Sequence, residues 1–279
     1  MLALASQASA QKGSAERGKY IFEVGGCYSC HTQKGGPAMA GGPPLRTPFG
    51  TFYAPNITPD PQYGIGKWTD ADFIRALREG VSPEGANYFP VFPYSSYTNM
   101  TTQDLLDLKA YLGTLTPVKY PSHPHEVKWP FSMRAALAPW KWLYFKAGPY
   151  KPNPAHDAKW NRGAYLVEAI VHCGECHTPR NFLGGLDRAQ WLSGARMPVG
   201  NLVASNLTPD KTGLAGWSVA DIVDALTDGT LPEGGTLSGE MGEVVQNSTS
   251  RLRPVDREAI AVYLKSLPRM PTRVKKKTK

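Results

Sequence analysis

Four cysteines are all the chain has among its 279 residues, and they fall in two pairs, Cys27 with Cys30 and Cys173 with Cys176. Once these pairs are assigned, no cysteine remains for a structural disulfide. Long apolar runs are also missing: none approaches the roughly 18 residues that a membrane-spanning helix needs. The formal charge of +8 and isoelectric point near 9.2 come without any nucleic-acid-binding motif, so the basic balance does not point to nucleic acid. The aspartates and glutamates near the cysteine pairs show no paired arrangement for acid–base work, so no catalytic residue is assigned. The wide gap between Cys30 and Cys173 rules against a shared zinc site, because zinc ribbons set their two knuckles about 15–20 residues apart.

What the pairs do have is a histidine directly after each. They read Cys27-Tyr28-Ser29-Cys30-His31 and Cys173-Gly174-Glu175-Cys176-His177. A redox dithiol explains neither the trailing histidine nor the duplication. Two thiols three residues apart on one helical turn can add to both vinyl groups of a haem, and the adjacent histidine then lies beneath the iron as proximal ligand. The expectation is two covalently bound haem c groups. Each haem adds two propionates, leaving about four net positive charges on the loaded protein.

The length suits two domains of about 100 residues each, and the sequence repeats itself beyond the CxxCH motifs. Arg17-Gly18-Lys19-Tyr20-Ile21-Phe22-Glu23 precedes the first motif and Arg162-Gly163-Ala164-Tyr165-Leu166-Val167-Glu168 the second. Asn56-Ile57-Thr58-Pro59-Asp60 returns as Asn206-Leu207-Thr208-Pro209-Asp210, each followed by a tryptophan, Trp68 or Trp217. Thr69 with Asp72 and Ser218 with Asp221 place a hydroxyl three residues ahead of a carboxylate, which predicts capped middle helices running to Gly80 and Gly229. Final helices are expected from Thr101 or Thr102 to Gly113, and from Pro254 to before Pro268, with Tyr111 and Tyr263 at similar places.

Helix, CxxCH, Trp-bearing middle segment and aromatic final helix, twice in that order, resemble the class I cytochrome c fold. The resemblance implies an all-α protein of two tandem cytochrome c-like domains. It also implies that first and last helices cross closely, with Gly18 under Tyr111 and Gly163 under Tyr263. More narrowly, Thr47-Pro48-Phe49-Gly50-Thr51-Phe52, the two Asn-x-Thr-Pro-Asp loops, Phe92-Pro93-Tyr94 and Ala259–Leu264 resemble dihaem cytochrome subunits of periplasmic dehydrogenases that oxidise alcohols, aldehydes or gluconate. The implied domains are 13–116 and 160–270. Residues 1–12 read as a signal-peptide remnant or disordered terminus, 117–159 as an aromatic, Pro-rich connector, and 271–279 as a basic tail.

In that family a methionine commonly fills the sixth position of the iron, which raises the potential and suits electron transfer. Met100, just ahead of the final helix, is the expected distal ligand of the first haem, with Met39 the rival. Met241, within Gly239-Glu240-Met241-Gly242, is expected for the second, with Met197 the rival. His31 and His177 are the proximal ligands. Aligning the final helices on their tyrosines sets Met100 opposite Leu252 and Met241 opposite Phe89, so the two distal loops must differ in path. His123, His125, His156 and His172 are expected to be surface or connector residues.

The resemblance implies an electron-transfer protein, not an enzyme, which takes single electrons from a periplasmic dehydrogenase and passes them to an oxidase or another cytochrome. A dihaem peroxidase, which needs an open iron, is the alternative. A soluble or peripherally membrane-associated periplasmic location is implied. The connector carries Trp129, Phe131, Trp140, Trp142, Tyr144, Phe145 and Tyr150, which suits an internal strap or a docking surface for a partner or membrane.

Overall fold

The computed structural model describes residues 12–197 and 202–273. Most of the signal-remnant segment and the lysine-rich end of the tail lie outside the described residues. The first repeat contains α1 (Ala15–Val24), α2 (Cys27–His31), a hairpin of β1 (Leu45–Thr47) and β2 (Gly50–Phe52), α3 (Asp70–Glu79), α4 (Tyr94–Tyr97) and α5 (Thr102–Leu112). The connector adds β3 (Glu126–Val127), which extends the hairpin to three strands, and α6 (Leu137–Tyr144). The second repeat contains α7 (Ala158–Tyr165), α8 (Gly174–His177), a short hairpin of β4 (Ala195–Arg196) and β5 (Val203–Ala204), α9 (Val219–Thr227), α10 (Gly239–Asn247) and α11 (Pro254–Ser266). The fold is mainly helical, with small strands at the edges.

The caps form as the sequence predicts. Thr69 accepts from the Asp72 backbone N–H at 3.1 Å while the Asp72 carboxylate accepts from the Thr69 N–H at 3.0 Å. Ser218 and Asp221 repeat this reciprocal arrangement at the start of α9. Each satisfies N–H groups that a helix start leaves without partners. α3 stops at Gly80 in the left-handed region, whereas α9 ends at Thr227 with Asp228 as its cap, one residue short of Gly229.

In each repeat the first and last helices cross where a glycine removes the side chain between them. A Cβ on Gly18 would lie 1.8 Å from the Asp107 carbonyl oxygen, and one on Gly163 would lie 2.0 Å from that of Ala259. The next turn is covered by Tyr111 and Tyr263, as expected. Arg17 reinforces the first crossing by pairing with Asp107 at 2.6 Å, and Arg162 the second by pairing with Asp256 at 2.7 Å.

The two entry helices are not identical. The segment from Arg162 to Cys173 is one residue longer than that from Arg17 to Cys27. The extra residue is taken up by a π-turn at Leu166–Ile170, where the Val171 N–H reaches the Leu166 carbonyl at 2.8 Å. Such a bulge absorbs an insertion without breaking the helix.

The halves pack on each other through a reciprocal pair of contacts. The Tyr20 hydroxyl donates to Asp256 at 2.5 Å and accepts from the Arg253 N–H at 3.3 Å, at the start of the other half's last helix. Its counterpart Tyr165 donates to Asp104 and accepts from the Thr101 N–H at 3.1 Å. Each entry helix thus completes the cap of the opposite final helix.

Burial alone would raise the Asp256 carboxyl, but Arg162, Tyr20 and Arg253 hydrogen-bond its charged form and hold it at about 2. A carboxylate depressed in the folded state stabilises above its unfolded value and loses that contribution as pH falls through the folded value. Native protein is therefore expected to lose stability from about pH 4 down to about pH 2. Asp256→Asn should remove this acid-dependent part, and chemical denaturation at stepped pH will show whether the native curve is the steeper.

Candidate functional site

Each CxxCH motif forms a single helical turn, α2 or α8 with Cys173 as its cap, so both thiols and the histidine sit on one short rigid element. A residue in the left-handed region precedes each turn: Gly26 at φ 64° and His172 at φ 46°. That backbone reversal lets the chain leave the entry helix and start the new turn immediately.

The histidines are oriented by the repeated loops. His31 Nδ1 donates to the Pro55 carbonyl at 2.8 Å, and His177 Nδ1 donates to the Ser205 carbonyl at 2.7 Å. Those carbonyls directly precede Asn56 and Asn206. Asn56 is buried, accepts from Thr58 at 2.8–2.9 Å and donates to the Val118 and Tyr120 carbonyls. Asn206 accepts likewise from Thr208 and donates to the Met270 carbonyl at 2.6 Å. The Asn-x-Thr-Pro-Asp loops are therefore clamps that fix the proximal ring, and with Nδ1 carrying the proton, Nε2 keeps its lone pair for a metal. Burial lowers both imidazole pKa values against the raising effect of the carbonyl bonds, which favours the neutral ring that ligation requires.

This donor set fits haem c on its own geometry: two thiols and one oriented imidazole on a single turn, twice. When bound, haem supplies a one-electron couple at iron; the protein supplies the anchors, the ligands and the surrounding charge.

Both turns lie at the interface between the halves. Ser95 and Ser96 of α4 donate to the Glu175 carboxylate at 2.8 and 2.6 Å, and Arg180 pairs with the same carboxylate. From the other side, Ser248 donates to the Val24 carbonyl at 2.6 Å. The Tyr97 and His172 rings meet edge to face at 5.5 Å. Cys176 lies near enough to Cys30 of the other motif and to Glu240 for their charges to act on it. Burial would raise Glu175, but Arg180, Ser96 and Ser95 outweigh it and keep the group ionised.

The expected distal methionines differ in placement. Met241 lies half-buried on α10, next to the Glu240 that acts on Cys176. Its rival Met197 lies beyond β4, its N–H bonded to the Leu202 carbonyl at 2.7 Å. Met100 stands directly before Thr101, the cap of α5, where the second half has Leu252 directly before Arg253, the cap of α11. Both are core side chains, 1% and 2% exposed. The register seen in the sequence thus persists in three dimensions: Met100 holds the place of a leucine that cannot ligate. Met39 likewise matches Leu192. Both have φ near 60°, both N–H groups donate to a threonine at 3.0 Å, and both carbonyls accept from the residue after the repeated asparagine.

The four other histidines are engaged elsewhere. His123 and His125 pack on Tyr53 and Phe52, His156 stacks on Trp160 at 3.8 Å, and the His172 ring lies against Tyr97. Sequence reasoning missed Pro55, Ser205, Ser95, Ser96 and Arg180. The repeated loops were a visible signal for the first two; nothing local marked the others.

A family model for Cytochrome c matches residues 15–116. A dihaem cytochrome c-type protein of Cereibacter sphaeroides is 46% identical over 266 residues, covering 92% of this chain and 86% of its own. The cytochrome c subunit of a quinone alcohol dehydrogenase from Gluconacetobacter polyoxogenes is 40% identical, covering 96% of this chain and 59% of its own. The fructose dehydrogenase cytochrome subunit of Gluconobacter japonicus is 39% identical, covering 94% and 54%. The chain thus spans little more than half the length of these last two. With two oriented CxxCH turns and this level of identity over nearly its whole length, the chain belongs to the dihaem c-type cytochromes.

Proposed function

We propose that this protein is the electron-transfer partner of a periplasmic dehydrogenase, draining its oxidation in single-electron steps and passing them to an oxidase or another cytochrome. It transfers electrons and does not itself transform a substrate. The observation that carries the reading is that both CxxCH turns sit at one hydrogen-bonded interface between the halves, which supports electron passage within one chain. Cys27, Cys30, Cys173 and Cys176 anchor the cofactors, His31 and His177 are their proximal ligands, and Met241 is the distal ligand at the second. Relatives named as subunits of quinone alcohol, fructose and gluconate dehydrogenases support a donor of that class.

The connector is partly a strap. Lys141 of α6 donates to the Glu79 and Gly80 carbonyls at 2.7 and 2.8 Å, and the Trp140 indole donates to the Leu183 carbonyl at 2.9 Å. Yet Trp129 and Trp142 stay 80% and 83% exposed, and Phe182 86%. Exposed aromatics of this size are typical anchors of protein interfaces, and we assign them to the dehydrogenase contact. No helix among the described residues is long and apolar enough to cross a membrane.

Acid–acetone extraction is expected to leave the colour of two haems with the polypeptide; free haem in the extract would overturn the reading. Trp142→Ser should release a co-purifying dehydrogenase on gel filtration while both haems remain. A complex that survives the change would confine the connector to its strapping role.

A further inference from the structure

The stretch between the middle and final helices can be placed in register by structure instead of by sequence. After α3, Val81 bridges to Asn87 and the Tyr88 N–H reaches the Gly80 carbonyl at 2.8 Å. After α9, Thr230 bridges to Thr236 and the Leu237 N–H reaches the Gly229 carbonyl at 2.8 Å. The two bridged loops, Val81-Ser82-Pro83-Glu84-Gly85-Ala86-Asn87 and Thr230-Leu231-Pro232-Glu233-Gly234-Gly235-Thr236, are the same length and share Pro-Glu-Gly. Counting forward from the bridges, the position of Met241 falls on Phe92. Counting backward from the final helices, Met241 falls on Phe89. The second half is three residues longer between these anchors, in the stretch where it forms the nine-residue α10 and the first half only the short α4. Wherever the insertion sits, Phe89, Pro90, Val91 and Phe92 are the candidates opposite Met241, and none carries a donor atom.

The remaining methionines do not fill the gap. Met100 holds the place of Leu252, directly before the cap of the final helix, and is a buried member of the hydrophobic core. Met39 holds that of Leu192, its carbonyl bonded to the Ile57 N–H in the loop that carries the proximal-histidine clamp. Met133 is half-exposed on the connector, and Met197 and Met270 belong to the second half. Phe92 instead stands in an aromatic group with Tyr88 at 5.5 Å and Tyr97 at 5.7 Å.

We propose that the first haem has no methionine ligand, and that its distal position, lined by Phe92, is open to a small exogenous ligand such as carbon monoxide or cyanide. The two haems are then unlike: one closed by His177 and Met241, the other held by His31 with a replaceable sixth position. The inference rests on the two-haem reading, and the test separates the two.

The oxidised holoprotein should show the near-infrared sulfur-to-iron band at the intensity of one haem. Met100→Leu, which copies the residue at 252, should leave it unchanged, and the reduced protein should bind carbon monoxide rapidly at half its haems. Phe92→Met should double the band and suppress the carbon monoxide binding. A two-haem band in the native protein, halved by Met100→Leu, would overturn the proposal. So would a one-haem band with no carbon monoxide binding, which would mean that another side chain, His172 or Tyr97, completes the first iron. Loss of colour on acid–acetone extraction would refute the two-haem reading itself, before any ligand is added.

Discussion

Met241→Ala is expected to lower the potential of the second haem by about 0.2 V, a modest part of the roughly 0.8 V range that axial ligands command. Thioether sulfur favours the reduced iron, so its loss destabilises that state while the oxidised one accepts water or nothing. The substitution is gentle to the fold, because Met241 is half-buried on a nine-residue helix and alanine is the best helix former. A spectroelectrochemical titration should show one couple shifted and the other unmoved. An unchanged pair of couples would transfer the distal role to Met197.

Gly163→Ala is expected to destabilise the protein by about 3 kcal/mol, at the upper end of overpacking effects. The added carbon would sit 2.0 Å from the Ala259 carbonyl oxygen and 2.9 Å from the Tyr263 Cβ. The carbonyl is already committed within α11, so relief demands that the helices separate. Separation in turn loosens Arg162 from Asp256 and Tyr263 from Glu168, which now bond at 2.7 and 2.8 Å. Urea unfolding of the holoprotein measures the loss. A change below about 0.5 kcal/mol, the range of an ordinary surface substitution, would mean that the crossing has slack the geometry does not suggest.

The features legible in the sequence are those whose chemistry is complete within a few residues. Thr69 with Asp72 and Ser218 with Asp221 announce their helix starts because both partners of the cap lie within one turn. The CxxCH pairs announce a cofactor for the same reason. Gly18 and Gly163 were readable through resemblance, because cytochromes of this class lay the final helix across a bare backbone shortly before the haem motif. By contrast, Tyr20 meets Asp256 and Ser96 meets Glu175 only after the halves dock, and neither residue type is unusual where it stands. The distal ligands fall between these cases. Matching Met100 to Leu252 needed only the final helices, but bounding the counterpart of Met241 to Phe89–Phe92 needed the backbone bridges as well, because a loop that has gained three residues cannot be registered from one end.

The exchange of helix caps by Tyr20 and Tyr165 makes each half a component of the other's secondary structure. Loss of either entry helix removes the tyrosine bonds at the start of the opposite final helix, and that helix in turn supports its own glycine crossing. Partial unfolding of one half therefore removes native contacts from both, and the chain should melt as one cooperative unit although its sequence is written as two.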